Sequence, residues 1–358
     1  MQEKFFELLR LSLGTQQQLT DIPSSKEWEE LYEMSVKQSL AGVMFHGFEK
    51  MMESSSTLKP SILYHWIGLR ESIINQNALQ NKRAKELYEI FRKGGYKSCV
   101  LKGQGTACYY DNPELRQSGD IDLWVEGSRD DIVRFCKSKN VIVDSVDIKD
   151  STMHFFPDVP VEIHFCPNCM YNPWKDRKLQ TFFRKLADCQ FDAYDKLLGF
   201  SHTTIEFDLV YSLVHIYRHI FSEGIGLRQL VDCFYILKHS DIHGRKNAYR
   251  TLHGLGMKRF TGGIMYILQE KFGMNKELEL CKVDKRHGKF LLNEILIGGN
   301  FGHYDTRYCF ASKDKKFKRG IAMLKRNLRF LCLYPSEVLW SPAWKLWHWC
   351  WRKQKGYL

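Results

Sequence analysis

The run Ser118-Gly119-Asp120-Ile121-Asp122-Leu123-Trp124-Val125 constrains this chain more than any other stretch. It reads as a strand with aspartates at alternate positions. Side chains on a strand alternate faces, so Asp120 and Asp122 are expected on the same side, a few ångströms apart. Two carboxylates that close repel each other unless a cation lies between them. A hard divalent ion such as Mg²⁺ resolves the conflict and usually arrives with substrate phosphates. The pattern therefore points to metal-assisted phosphoryl or nucleotidyl transfer, although an edge strand with a polar outer face has the same alternation.

A third carboxylate lies downstream. Pro160-Val161-Glu162-Ile163-His164-Phe165 again alternates, which puts Glu162 and His164 on one face. Upstream, Val100-Leu101-Lys102-Gly103-Gln104-Gly105 reads as a strand end entering a glycine turn, where backbone N–H groups can approach an anion. Lys102 at that turn and Arg116 before the acidic strand are either solvated charges or contacts to a triphosphate. His164 is expected to hydrogen-bond a carboxylate rather than to take a proton from the attacking hydroxyl.

This order of motifs resembles the DNA polymerase beta-like nucleotidyltransferase superfamily. In detail it resembles the bacterial proteins labelled uncharacterised nucleotidyltransferases. The resemblance rests on Leu101-Lys102-Gly103, Tyr109-Tyr110, Pro113-Glu114-Leu115-Arg116, Gly119-Asp120-Ile121-Asp122-Leu123 and Val161-Glu162-Ile163-His164. It implies two divalent ions, Mg²⁺ or Mn²⁺, held by Asp120, Asp122 and Glu162. It also implies a nucleoside triphosphate such as ATP at Lys102, Gly103, Gln104, Arg116 and Gly119. The superfamily usually has Gly-Ser or Gly-Gly at the turn, where this chain has Gly103-Gln104.

At 358 residues the chain suggests two or three units. Its 44% hydrophobic content is that of a folded protein. No apolar run reaches membrane-spanning length, and Met1-Gln2-Glu3-Lys4-Phe5-Phe6 lacks a signal-peptide layout. The eleven cysteines are odd in number and scattered, which favours free thiols and a cytoplasmic setting. A net charge of +12 favours polyanionic partners: nucleoside triphosphates, nucleic acid or an anionic membrane face.

The expected architecture is α+β. Residues 1–93 read as helical, 94–195 as a small mixed sheet carrying the carboxylates, and 196–358 as helical again. A helix over 66–93 stops at Gly94-Gly95. Strands are expected over 97–101, 119–126 and 141–148, a helix over 129–139, and a hairpin from 152–156 to 161–165. Later helices are expected over 207–221, 228–238, 245–255, 260–272 and 320–333.

Other features have weaker chemistry. Cys166-Pro167-Asn168-Cys169 lacks the second pair of a structural zinc site. His215 and His219 share a helix face without the intervening glutamate of a metalloprotease, so they read as core or pocket-lining groups. Arg228 and Asp232 form an i, i+4 pair that either decorates a helix surface or shapes the substrate cleft. Gly298-Gly299-Asn300-Phe301-Gly302 reads as a turn and not a phosphate loop. Trp340, Trp344, Trp347 and Trp351 form a helical stripe, expected to dock on its own domain rather than on a membrane. The basic run Lys313–Arg329 reads first as a solvated face and also supports an alternative function, a nucleic-acid-binding module on an inert nucleotidyltransferase fold.

The function expected is transfer of a nucleoside monophosphate to an unidentified hydroxyl of a small molecule or sugar, a protein or an RNA. Asp122→Asn is expected to abolish it without disturbing the fold.

Overall fold

The computed structural model describes residues 1–52, 60–308 and 325–357. Most of the basic run and the start of the helix expected at 320–333 lie outside them.

Four helices open the chain: α1 (Gln2–Ser12), α2 (Ser25–Lys37), α3 (Ala41–Met52) and α4 (Pro60–Lys93). Ser24 caps α2 ahead of its acidic first turn, and Glu27 returns a bond to the Ser24 N–H. Then come β1 (Ser98–Val100), the single turn α5 (Gln104–Ala107), β2 (Ile121–Val125) and α6 (Arg129–Ser138). Strands β3 (Ile142–Val146), β4 (Asp150–His154) and β5 (Val161–His164) follow. After α7 (Pro173–Phe191) and a small β6–β7 ribbon (Tyr194–Asp195, Phe200–Ser201), the chain turns helical. It continues with α8 (Ile205–Ser222), α9 (Arg228–Lys238), α10 (Ile242–Gly254), α11 (Lys258–Phe272), α12 (Lys285–Gly298) and α13 (Pro335–Lys355).

The five-stranded sheet has the order β1-β2-β5-β4-β3. Strand β2 runs antiparallel to β1 and parallel to β5, and the β4–β5 hairpin pairs Thr152 with Glu162. In the parallel pair Asp122 lies opposite Glu162 and Trp124 opposite His164. Alternation then separates the two faces. Ile121, Leu123, Val125, Val161 and Ile163 pack with Leu87 and Phe91 of α4 and Ile132 and Val133 of α6. Trp124 points the other way, 4.6 Å from Phe191 and 5.9 Å from Phe207 between ring centroids. Asp122 and Glu162 share that second face, which looks into the helical half.

The helical half has one larger core, to which the N-terminal helices also contribute. Phe6 of α1 meets Phe272 of α11 at 6.4 Å. The 34 residues of α4, about 51 Å of helix, reach from this core to the sheet. Trp66 near its start donates to the Ala41 carbonyl, while Ala84, Leu87 and Phe91 near its end sit under the sheet.

Helix α7 was not expected from the sequence. Asn172 caps it by accepting from the N–H groups of Trp174 and Lys175, and Pro173 occupies its first turn. Helix α13 divides its tryptophans. Trp340 packs on Trp174 and Trp344 on Tyr171, each at 5.2 Å, and Trp351 lies 4.6 Å from the Arg129 guanidinium. Trp347 is instead 53% exposed, as is much of Leu339, Leu346 and Trp349. His348 meets Asp147 at 2.6 Å, so α13 bridges the helical half and the sheet unit. Among the described residues no helix is long and apolar enough to cross a membrane.

Candidate active site

Asp122 is 1% exposed in the middle of the sheet. His164 Nε2 lies 2.8 Å from its Oδ1 and Lys102 Nζ 3.1 Å from its Oδ2. His164 Nε2 also lies 3.7 Å from Glu162. Asp122, Glu162 and His164 each offer an atom within 4.8 Å of the others, the one such group among the described residues. Asp120 precedes β2 and borders the same space, but its carboxylate stands outside this group.

The charges here depend on one another. Burial opposes ionisation of Asp122, yet Lys102 and His164 hold its carboxyl well below the usual range. Burial also opposes the His164 imidazolium, but hydrogen bonds to Asp122 and Glu162 outweigh it and raise the imidazole to about 9. Burial likewise opposes the Lys102 ammonium, and Asp122, Asp120 and Glu162 more than compensate. Both cations thus stay charged at neutral pH. His164 matches its expected role as the hydrogen-bond partner of a carboxylate.

The glycine turn lies against the acidic strand. Gly103 has φ +62°, where a side chain is strained, and its Cβ position is 3.7 Å from the Asp120 carbonyl oxygen. Gln104, expected at the nucleotide, bonds to α4. Its amide nitrogen donates to Asn81 Oδ1 at 2.8 Å and to the Asn77 carbonyl at 3.3 Å, and it lines neither cleft described below. The reason lies in α4, whose polar side chains anchor this region. Asn77 donates to the carbonyls of Glu114 and Arg116 at 2.7 and 2.8 Å, and Gln80 donates to that of Gly119.

Arg116 is buried and makes a bidentate pair with Asp232, Nε to Oδ1 at 2.7 Å and Nη2 to Oδ2 at 2.9 Å. Tyr110 donates its hydroxyl to the same Oδ1 at 2.5 Å. Two of the three guanidinium nitrogens expected to meet phosphate are therefore engaged, and among the described residues only Nη1 is without a partner. Asp232 pairs with Arg116 across the fold and not with Arg228 along α9. Arg228 instead donates to the Gln117 carbonyl at 2.6 Å. Both residues of the i, i+4 pair are buried, which excludes the surface reading.

Two clefts meet at this point. The first is bordered by Lys102, Gly103, Arg116, Gly119, Asp122, Arg228 and Asp232, with Tyr211 and His215 of α8 opposite. The second contains Glu162, Lys149, Arg218, His219, Arg326 and Trp344. Lys102, Asp120 and Phe301 border both. The sequence did not single out Phe301. Its φ of +51° is exceptional for a phenylalanine, and a side chain at neighbouring Gly302 would strike the Glu223 carbonyl. The glycine-rich segment is thus a tightly packed wall. Lys149 and Arg218 were also missed. Lys149 carries no local signal, whereas Arg218 stands one residue before the His219 that was noted.

The basic run is not a continuous solvated face. Arg326 is buried and donates to the Ile220 carbonyl at 2.5 Å, and Arg329 pairs with Glu294 at 2.9 Å. Lys313, Lys315, Lys316, Lys318 and Arg319 lie outside the described residues.

Comparison with known proteins adds a family. A family model described as "Uncharacterised nucleotidyltransferase" matches residues 24–273. No match was found among curated proteins. Among solved structures, the Thermotoga maritima CCA-adding enzyme complexed with tRNA_CCA aligns at 10% identity over 72% of this chain and 77% of that chain. Its TM-score of 0.20 is too low to support any argument. The family match spans the sheet, the glycine turn, all three carboxylates and helices α8 to α11. It covers well over half of the sequence, and the chain belongs to the uncharacterised nucleotidyltransferase family and is a transferase.

Proposed function

We propose that the protein transfers a nucleoside monophosphate from a nucleoside triphosphate to an acceptor hydroxyl. The acceptor oxygen bonds to the α-phosphorus, the bond from that phosphorus to the β-phosphate bridge oxygen breaks, and pyrophosphate and the hydroxyl proton leave. One observation carries the reading: Asp122 and Glu162 lie in register on parallel strands where two clefts meet.

The donor set fits a hard cation, because carboxylate oxygens converge there and the histidine nitrogen among them is already hydrogen-bonded. Asp120, Asp122 and Glu162 would hold two divalent ions, Mg²⁺ or Mn²⁺, which when bound neutralise phosphate charge and promote loss of the acceptor's proton. His164 fixes the Asp122 carboxylate by donating to Oδ1. Lys102, on the wall common to both clefts, supplies positive charge to the triphosphate. Gly103 and Gly119 leave the backbone accessible, and Arg228 adds a second cation to the first cleft. Arg116 and Asp232 serve as a rigid pair that shapes this cleft. The nucleotide then belongs in the first cleft and the acceptor in the second, on the side of Glu162.

The test uses the full-length protein with Mg²⁺, each α-labelled nucleoside triphosphate and a cell extract, with mass spectrometry of the labelled product. Glu162→Gln should lower transfer by about 100-fold or more while leaving the unfolding midpoint near that of the wild type. Wild-type transfer by that variant would refute the metal assignment.

A further inference from the structure

Arg218 is the unexplained charge of the second cleft. It projects from α8 with its guanidinium carbon 3.5 Å from the centre of the Tyr171 ring and 5.9 Å from that of Trp344. Stacking on a ring fixes the guanidinium plane and leaves its N–H edge for an in-plane partner. Yet Nε and Nη1 are buried and have no hydrogen-bond partner among the described residues. Glu337, a carboxylate whose charge acts on Arg218, makes no hydrogen bond to it among the described residues. It accepts the Tyr171 N–H at 3.2 Å and lies 4.0 Å from Lys175. Leaving buried donors of a charged group unpaired is costly, and a ligand oxyanion would relieve the cost.

The surroundings narrow the ligand. Lys149 pairs with Asp150 at 2.7 Å and lies within electrostatic reach of Glu162 and of Cys169, and Cys169 lies within reach of Arg218. The cations thus lead from the carboxylate site into the cleft. Asp147, Asp150, Glu223 and Asp305 border the same space. Those carboxylates would repel a strand of successive phosphates but tolerate one compact anion.

We propose that the second cleft seats a small hydroxylated acceptor carrying a single oxyanion, a phosphate or a carboxylate, which Arg218 binds through its unpartnered N–H groups, assisted by Lys149. The acceptor role rests on the nucleotidyl-transfer reading; the anion site does not.

Calorimetric titration of the full-length protein with ribose, ribose 5-phosphate and ribonate tests the proposal. Each titration is run with and without Mg²⁺ and an α,β-methylene triphosphate analogue. At least one anionic probe should bind where ribose does not, and the tighter of the two identifies phosphate or carboxylate. Arg218→Gln should weaken that probe by at least about tenfold, and Arg218→Lys by less, because it keeps the charge and loses the fork. Titration of the analogue itself on all variants detects any general loss of structure. If Arg218→Gln does not fold, Arg218→Lys and the ribose comparison decide. Equal binding of ribose and both anions, or probe affinity unchanged in the variants, overturns the proposal. So does a single-stranded RNA that displaces the probe and binds more tightly. Arg218-dependent probe binding without any binding of the analogue would keep the anion site and remove the transfer reading.

Discussion

Asp122→Asn removes a charge without changing volume, and the sequence alone suggests a harmless probe of catalysis. The structure predicts otherwise. Asp122 is the closest carboxylate to a buried and a half-buried cation, at 2.8 Å from His164 and 3.1 Å from Lys102. His164 titrates near 9 in the folded protein against an ordinary 6.5. At about 1.4 kcal/mol per pH unit that gap is worth about 3 kcal/mol. The folded value is the higher one, so this stabilisation is complete below pH 6.5 and disappears as pH rises through 9. Asparagine also leaves the Lys102 ammonium without its nearest counter-charge, a loss that does not fade over that window. Breaking buried pairs of this kind costs about 3–5 kcal/mol in all. Urea unfolding in EDTA, followed by fluorescence and circular dichroism, should therefore find the variant about 3–5 kcal/mol less stable at pH 6. The deficit should shrink by up to about 3 kcal/mol at pH 9.5 as the wild type loses its imidazolium contribution, less whatever share Glu162 maintains in the variant. A variant as stable as wild type at pH 6, or a deficit equal at both pH values, would refute the charge network. Glu162, one-third exposed and 3.7 Å from His164, is the cleaner position for testing chemistry.

Arg116→Ala should cost about 3–5 kcal/mol in the same assay, because it strands the Asp232 carboxylate, and Tyr110→Phe only about 1–2 kcal/mol. Gly103→Ala should lose about 1–3 kcal/mol to backbone strain at φ +62°, and should weaken binding of a triphosphate analogue more than it lowers the melting temperature. Trp344→Ala should destabilise by about 2 kcal/mol and Trp347→Ala by less than about 0.5 kcal/mol, since only the first indole packs against the core. Equal effects of the two would show that the faces of α13 are misassigned.

The local rules that made the site legible are short-range. Alternation placed Glu162 and His164 together, and the hairpin brought Thr152 opposite Glu162 as the turn residues required. Parallel pairing of β2 with β5 brought the third carboxylate beside Asp122, and nothing in either strand encodes that register alone. The misses have a common cause. Gln104 sits in the glycine turn and bonds to α4, because Asn77, Gln80 and Asn81 present a polar face that reads in sequence as ordinary solvated helix. Arg228 and Asp232 have ideal helix spacing, yet Asp232 takes a partner from more than a hundred residues away. Helix α7 begins on an Asn-Pro pair that punctuates a loop as readily as it caps a helix.

The tryptophan stripe shows the same limit in another form. Helical spacing states which side chains share an azimuth, and it is silent on how much of that azimuth a neighbour covers. Trp340 and Trp344 meet Trp174 and Tyr171, which stand in or just before α7, the helix missed from sequence. Trp351 reaches Arg129 at the start of α6, and His348 reaches Asp147 beyond β3. With α7 unrecognised, no surface could be named to receive the stripe. The same contacts stack Trp344 near Arg218 and so help form the second cleft. The family match ends at residue 273, before Phe301, Arg326 and Trp344 join that wall. Residues bordering the first cleft fall inside the match except Phe301, whereas the second draws several from beyond it. On the proposed reading, acceptor choice would belong to the part of the molecule that the shared motifs describe least.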